Sequence, residues 1–193
     1  MSTPPQSGPD ALPTPAQSVL LLIDHQPLPY LYSHRPTTVF GNVLSLAKAA
    51  EACRVPTVLT TSTEEHSGPL LQPLQVLFPD RGPITRTVTD PWQDRRVVDA
   101  VQATGRKNLV IAGLYTETCV TLSALHAADE GYAVHVVTDA CAGVTAEAHE
   151  LAVRRMALAG VVPVTRAAVG TRWAPHRTRN QQLLATLVPE AGA

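Results

Sequence analysis

The sequence lacks an excess of either charge: fifteen Lys plus Arg stand against sixteen Asp plus Glu over 193 residues, a formal net charge of −1. No run of Lys and Arg is long enough to supply the repeated phosphate contacts on which nucleic-acid affinity rests, so no nucleic-acid partner is expected. Nor is there a stretch near the roughly 20 apolar residues that a bilayer span requires. The opening MSTPPQSGPDALPTPAQS has neither the basic start nor the apolar core of a secretory signal. No membrane partner and a cytoplasmic location are the expectations. Cysteine is scarce. Cys53, Cys119 and Cys141 are an odd number at wide spacing, which suits neither a disulfide framework nor a Cys-x-x-Cys metal site, and reads as reduced thiols. Charged residues make up only 16% and hydrophobic ones 45%, a balance that excludes wholesale disorder, and the length fits one domain.

What is present alternates. Residues 1–17 hold five prolines among Ser, Thr and Gly and read as a mobile tail, leaving 18–193 as a single domain. Val19–Ile23 is apolar at every position and stops at Asp24, the mark of a strand covered on both faces. Helical spacing over 37–53 and a strand over 56–61 complete one β-α-β unit. Residues 62–91 are rich in Pro, Gly and charge and read as a long excursion with a short strand near 83–86. Helix, strand, helix, strand, helix and strand then follow over 93–104, 108–113, 117–130, 133–137, 146–159 and 161–164. This order predicts an α/β fold, a three-layer α-β-α sandwich around a mostly parallel sheet of five to six strands. The stretch 166–193, with an amphipathic 181–187, packs either on the body or on a second subunit.

In such a sheet ligands bind beyond the carboxyl ends of the strands. Asp24 ends the first strand, Arg86 the short third one, and the fourth runs through Gly113 into Leu114-Tyr115-Thr116-Glu117-Thr118-Cys119 at the start of a helix. A carboxylate, a cation and a thiol thus share one edge. With Thr116 as amino-terminal cap, Cys119 lies in the first helical turn, where unpaired N–H groups favour an anion and lower a thiol pKa. A small buried hydrophobe is the alternative role for Cys119, a cap or turn former for Asp24, and a surface charge for Arg86.

These segments, VLLLIDHQ with Asp24, ITRTVTDPW with Arg86, and NLVIAGLYTETCVTLSALHAADEGYAVHVVTDACAG with Cys119, resemble the isochorismatase-like cysteine hydrolases over roughly 18–165. The YcaC-type branch is nearest, since there too the first motif reads Asp-His-Gln, the second strand ends in Thr-Thr-Ser, and an Arg stands where most relatives have Lys. The resemblance implies a catalytic triad of Asp24, Arg86 and Cys119. Asp24 takes the thiol proton, Cys119 attacks the carbonyl of a small amide, carbamoyl-amine or lactam, and a thioester is hydrolysed. It also implies a cis peptide at Leu114–Tyr115, with the backbone N–H groups of Tyr115 and Cys119 forming an oxyanion hole. Arg86, which cannot donate its proton, is left an electrostatic role.

His25, Gln26, Leu28, Tyr30, Trp92 and Tyr115 are the expected substrate-binding residues, each with an alternative life as a structural residue or core plug. Nicotinamidases bind a metal through an Asp-x-His pair and a further His. Here the nearest groups are Glu64 and His66, with no second His until His126, so neither metal nor cofactor is expected. Cys53 and Cys141 read as packing residues. A homo-oligomer is the expected assembly. Isochorismatase-type vinyl-ether hydrolysis and a non-catalytic binding or assembly protein on the same fold are the rival functions.

Overall fold

Six consecutive buried residues, Ser18–Ile23, form strand β1. In the computed structural model, which describes residues 12–174, β1 lies at the centre of a sheet whose other strands are β2 (Thr57–Thr61), β3 (Ile84–Thr85), β4 (Asn108–Gly113), β5 (Ala133–Val137) and β6 (Val162–Val164). The order is β3-β2-β1-β4-β5-β6, and every pairing is parallel. A central parallel strand is covered on both faces, so its sequence has no polar alternation to show. Burying Val19 to Ile23 contributes roughly 1.5–3 kcal/mol per side chain.

The helices are α1 (Pro27–Leu31), α2 (Pro36–Ala52), α3 (Glu64–Ser67), α4 (Gln72–Leu77), α5 (Arg95–Ala103), α6 (Thr121–Asp129), α7 (Ala146–Leu158) and α8 (Arg166–Trp173). Helix α2 packs against α4 and α8, while α6 packs against α7 and β5, and this division makes the sheet the middle layer of three. The chain winds outward from β1 through β2 and β3, then crosses back to β4 and proceeds the other way, so the strand order reverses between β1 and β4. Loops diverge at such a switch point and leave a crevice. There Ile23 is in register with Gly113. A Cβ on Gly113 would lie 2.6 Å from both the Cβ and the carbonyl oxygen of Ile23, and this glycine lets the two strands close up.

Several elements differ from the sequence reading. The excursion over 62–91 contains α3 and α4, whose four and six residues are too short to show a helical repeat. The helix expected over 93–104 is preceded by a separate 3-10 turn, Pro91–Gln93, capped by Asp90. Of the tail, residues 1–11 lie outside the described residues. Pro15–Gln17 is a 3-10 turn, and Leu12 packs on the core while its carbonyl accepts a 3.0 Å hydrogen bond from Arg172 Nε. Helix α8 docks on the body, and Trp173 Nε1 donates to Ser18 Oγ at 3.2 Å; the amphipathic 181–187 lies outside the described residues. Among the described residues, no helix is long and apolar enough to cross a membrane.

Candidate active site

The chain leaves β1 through Asp24, which takes a left-handed backbone conformation (φ 55°) that costs a non-glycine residue on the order of 1–3 kcal/mol. Its N–H still reaches Thr60 O on β2 at 2.9 Å, so the turn begins while the residue is tethered to the sheet. Arg86 follows β3 and is tethered in the same way, its N–H donating to Thr61 O at 2.9 Å. The Arg86 side chain is buried. Nη2 donates to Asp24 Oδ2, and Nη1 donates to the carbonyl of Val88 and, at 3.1 Å, to that of Thr89. Asp24 Oδ1 is buried without a protein partner.

Strand β4 ends in the expected cis peptide, Leu114–Tyr115, and then in a single π turn, Thr116–Val120, which carries Cys119. Three contacts hold this turn. Thr116 Oγ1 and His149 Nδ1 share a 2.8 Å hydrogen bond, Thr121 Oγ1 donates to Thr116 O, and Glu117 Oε1 accepts from Val144 N at 2.9 Å. Gly143 leaves room for the Glu117 carboxylate, whose Oε2 would be 2.5 Å from a Cβ there. Thr116 is therefore not the expected cap. The residue before the turn is Tyr115, no side chain caps it, and the Thr116 hydroxyl is spent on His149.

Asp24 and Cys119 lie within side-chain hydrogen-bonding reach of one another. The expected lowering of the thiol pKa is overturned. Burial first, and then the Asp24 charge, push the Cys119 thiol above its ordinary value, and Arg86 opposes them. Whatever the turn's N–H groups contribute is outweighed by loss of solvent and a neighbouring carboxylate. Burial also pushes the Asp24 carboxyl above the usual carboxylate range, with the Arg86 charge pulling it back down. The pair is thus a carboxyl and a thiol within hydrogen-bonding reach of each other, both pushed upward by burial.

Asp24, Arg86 and Cys119 line one cavity of about 450 Å³, together with Leu28 and Tyr115 from the expected binding set. The other four of that set are elsewhere. His25 is fully buried, with Nδ1 2.8 Å from Tyr30 Oη and the two rings stacked, and burial drives its pKa down to about 3. Tyr30 packs edge-on against Phe40 inside the core. Gln26 lies behind the cavity wall and holds it: its Oε1 accepts from Ser62 N at 2.9 Å, and its Nε2 donates to the carbonyls of Ser62 and Gly68. Trp92, in the turn that Asp90 caps, is buried edge-on against Tyr132. The left-handed turn at Asp24 sets the course of His25 and Gln26, Tyr30 sits on the buried side of α1, and the capped turn sends Trp92 inward.

Residues not anticipated complete the lining. Ser62, Thr63, His66 and Ser67 follow β2, and Thr87 and Thr89 follow β3. The hydroxyl-rich runs Thr61-Ser62-Thr63 and Thr87-Val88-Thr89 stand directly beyond strand ends, a signal available from sequence. Among the described residues there is no cluster of three or more His, Cys, Asp or Glu arranged to hold a metal ion. Cys141 is fully buried, its thiol pushed up to about 12, and Cys53 Sγ donates to Trp173 O at 3.5 Å.

Residues 18–168 match the model of the isochorismatase domain. The chain is 43% identical over 127 residues to the probable hydrolase YcaC of Escherichia coli, a match covering 64% of this chain and 61% of that protein, so it spans less than two thirds of this relative's length. The crystal structure of Escherichia coli YcaC, described as an octameric hydrolase of unknown specificity, superposes with a TM-score of 0.88 at 36% identity, covering 94% of this chain and 91% of the other. YcaC from Pseudomonas aeruginosa, solved with hexane-2,5-diol and covalent acrylamide, superposes with a TM-score of 0.87 at 32% identity, covering 92% of each chain.

Proposed function

Since the chain belongs to the isochorismatase family, we propose that the cavity is the active site of a hydrolase in which Cys119 attacks the carbonyl carbon of a small amide, carbamoyl-amine or lactam and so cleaves its C–N bond. The observation that carries this reading is the placement of Asp24, whose Oδ2 is held by Arg86 and whose carboxyl lies within side-chain hydrogen-bonding reach of Cys119. As the sulfur–carbon bond forms, the thiol proton passes to Asp24. As the carbon–nitrogen bond breaks, Asp24 gives that proton to the leaving nitrogen, and a thioester remains. Water then adds to the thioester carbonyl with Asp24 as base, the sulfur leaves and recovers a proton, and a carboxylic acid is released. The backbone N–H groups of Tyr115 and Cys119 stabilise the oxyanion in both halves. Arg86 keeps Asp24 ionised and in place.

A thiol raised by burial is not stored as thiolate. Proton transfer to Asp24 therefore accompanies attack. Covalent acrylamide in the Pseudomonas aeruginosa relative supports a nucleophile in that protein and, by similarity, here. The octameric Escherichia coli relative likewise supports a homo-oligomer, and the exposed Leu31, Tyr32, Val144 and Leu151 offer apolar surface for one. The test is a panel of small amides and lactams assayed for ammonia or amine release, with intact-mass detection of an acyl adduct. An adduct that maps to Cys119 supports the reading. Turnover that persists in Cys119→Ala removes it.

A further inference from the structure

We propose that the substrate is uncharged around its reacting carbonyl, and that the cavity admits neutral amides and turns carboxylate-bearing ones away. The inference rests on Cys119 being the nucleophile. Among the described residues lining the cavity, Arg86 is the only Lys or Arg, and its fork is already spent. One terminal nitrogen is committed to Asp24 and the other to the carbonyls of Val88 and Thr89. The remaining nitrogen, Nε, has no partner but is buried away from the cavity surface, so a ligand cannot reach it. Among the described lining residues an entering carboxylate would find no free Lys or Arg, and the one other basic side chain is His66, on the wall beyond β2 and away from the strand end that carries Asp24.

The reacting groups give it no compensating charge either. Asp24 and Arg86 cancel each other, and passing the thiol proton to Asp24 leaves the three groups with no net charge, so the cluster supplies no positive charge to offset the desolvation of an entering carboxylate. The rest of the wall is suited to a neutral guest. Leu28, Pro29 and Leu114 give apolar contact, and the hydroxyls of Thr63, Thr87 and Thr118 are uncharged donors and acceptors. Buried charge without a partner is costly, whereas an amide can exchange its water for such hydroxyls.

The experiment compares two isosteric alkylating agents, iodoacetamide and iodoacetate, on the full-length protein at pH 8, following Cys119 by peptide mass mapping. Each rate is divided by the same reagent's rate with a small free thiol, which removes intrinsic reactivity. The neutral reagent is expected to be favoured about tenfold or more after normalisation. A normalised ratio near one, or one favouring iodoacetate, overturns the inference and leaves Cys119 as the nucleophile. If Cys119 is modified by neither reagent in the folded protein and by both after unfolding, the nucleophile reading fails and the inference falls with it.

Discussion

Arg86 holds one oxygen of Asp24 and leaves the other buried with no protein partner, so the carboxylate is fixed in orientation and still has a face to offer the thiol. With Cys119 within hydrogen-bonding reach of the Asp24 carboxyl, the sulfur is the atom whose loss should stop turnover. Cys119→Ala is expected to lower kcat by about a thousandfold or more. It removes a single sulfur from a buried site, so the thermal midpoint should fall only slightly. Steady-state rates and a melting curve of the same preparation check both halves.

Arg86→Lys tests whether charge alone suffices. If it does, the variant should retain most activity. The structure argues otherwise, because one guanidinium reaches Asp24 and two carbonyls together, whereas an ammonium on a shorter reach cannot span all three. An intermediate loss is expected for Arg86→Lys, and a larger one for Arg86→Met, which also leaves Asp24 without a counter-charge. Comparing kcat/KM across the three proteins decides between shape and charge.

The pH profile should carry the mark of Asp24. Asp24 must be ionised to accept the thiol proton, and burial raises its pKa. The acid limb of kcat/KM should therefore lie above the ordinary carboxylate value of about 3.9. Arg86 lowers that pKa, so removing the cation in Arg86→Met should move the limb further upward. Asp24 and Cys119 are coupled, and the limb belongs to the pair. A limb at or below the ordinary value would contradict the buried-carboxylate account.

His25 makes a separate prediction about stability. Its pKa is lowered to about 3 in the folded protein by burial, against roughly 6.5 when exposed. Between those values the unfolded chain binds a proton that the folded chain does not. Stability should be unaffected by this group above pH 6.5 and should fall by roughly 1.4 kcal/mol per pH unit as pH drops from 6.5 toward 3. The slope of the thermal midpoint against pH should be shallower in His25→Gln. Equal slopes would show that His25 is not held neutral.

Activity on any amide substrate is expected to survive dialysis against EDTA. Glu64 and His66 lie in α3, and among the described residues no group of three or more His, Cys, Asp or Glu is arranged to hold a metal ion. Loss of activity that returns with zinc or iron would refute a metal-free mechanism.

Much of the architecture was legible because strand composition and turn signals are local. The all-apolar Val19–Ile23 could only be a covered strand, and 108–113 and 133–137 fall where the sequence places them. Asp24, Arg86 and Cys119 were legible because each ends or follows a strand. The direction of their side chains was not. His25 and Gln26 differ from Asp24 by one and two positions, yet Gln26 braces the wall and His25 enters the core, a choice made by the left-handed turn at Asp24. The thiol's environment was hidden for a related reason, because the desolvation that raises its pKa comes from segments distant in sequence. The short helices α3 and α4 carry too few residues to announce a period.

The register of Ile23 with Gly113 places the proposed base and nucleophile on adjoining strands, while much of the cavity wall comes from the connection after β2. Chemistry and selectivity are therefore carried on separable stretches of chain. A chimera that takes only Thr63 and His66 from another family member, and keeps the buried Leu70, Leu74 and Phe78 of the same connection, should leave both strand ends in place. Such a chimera should keep the reactivity of Cys119 and change which amide it opens, so the fold can acquire new substrates by replacing a wall and leaving the reacting groups alone.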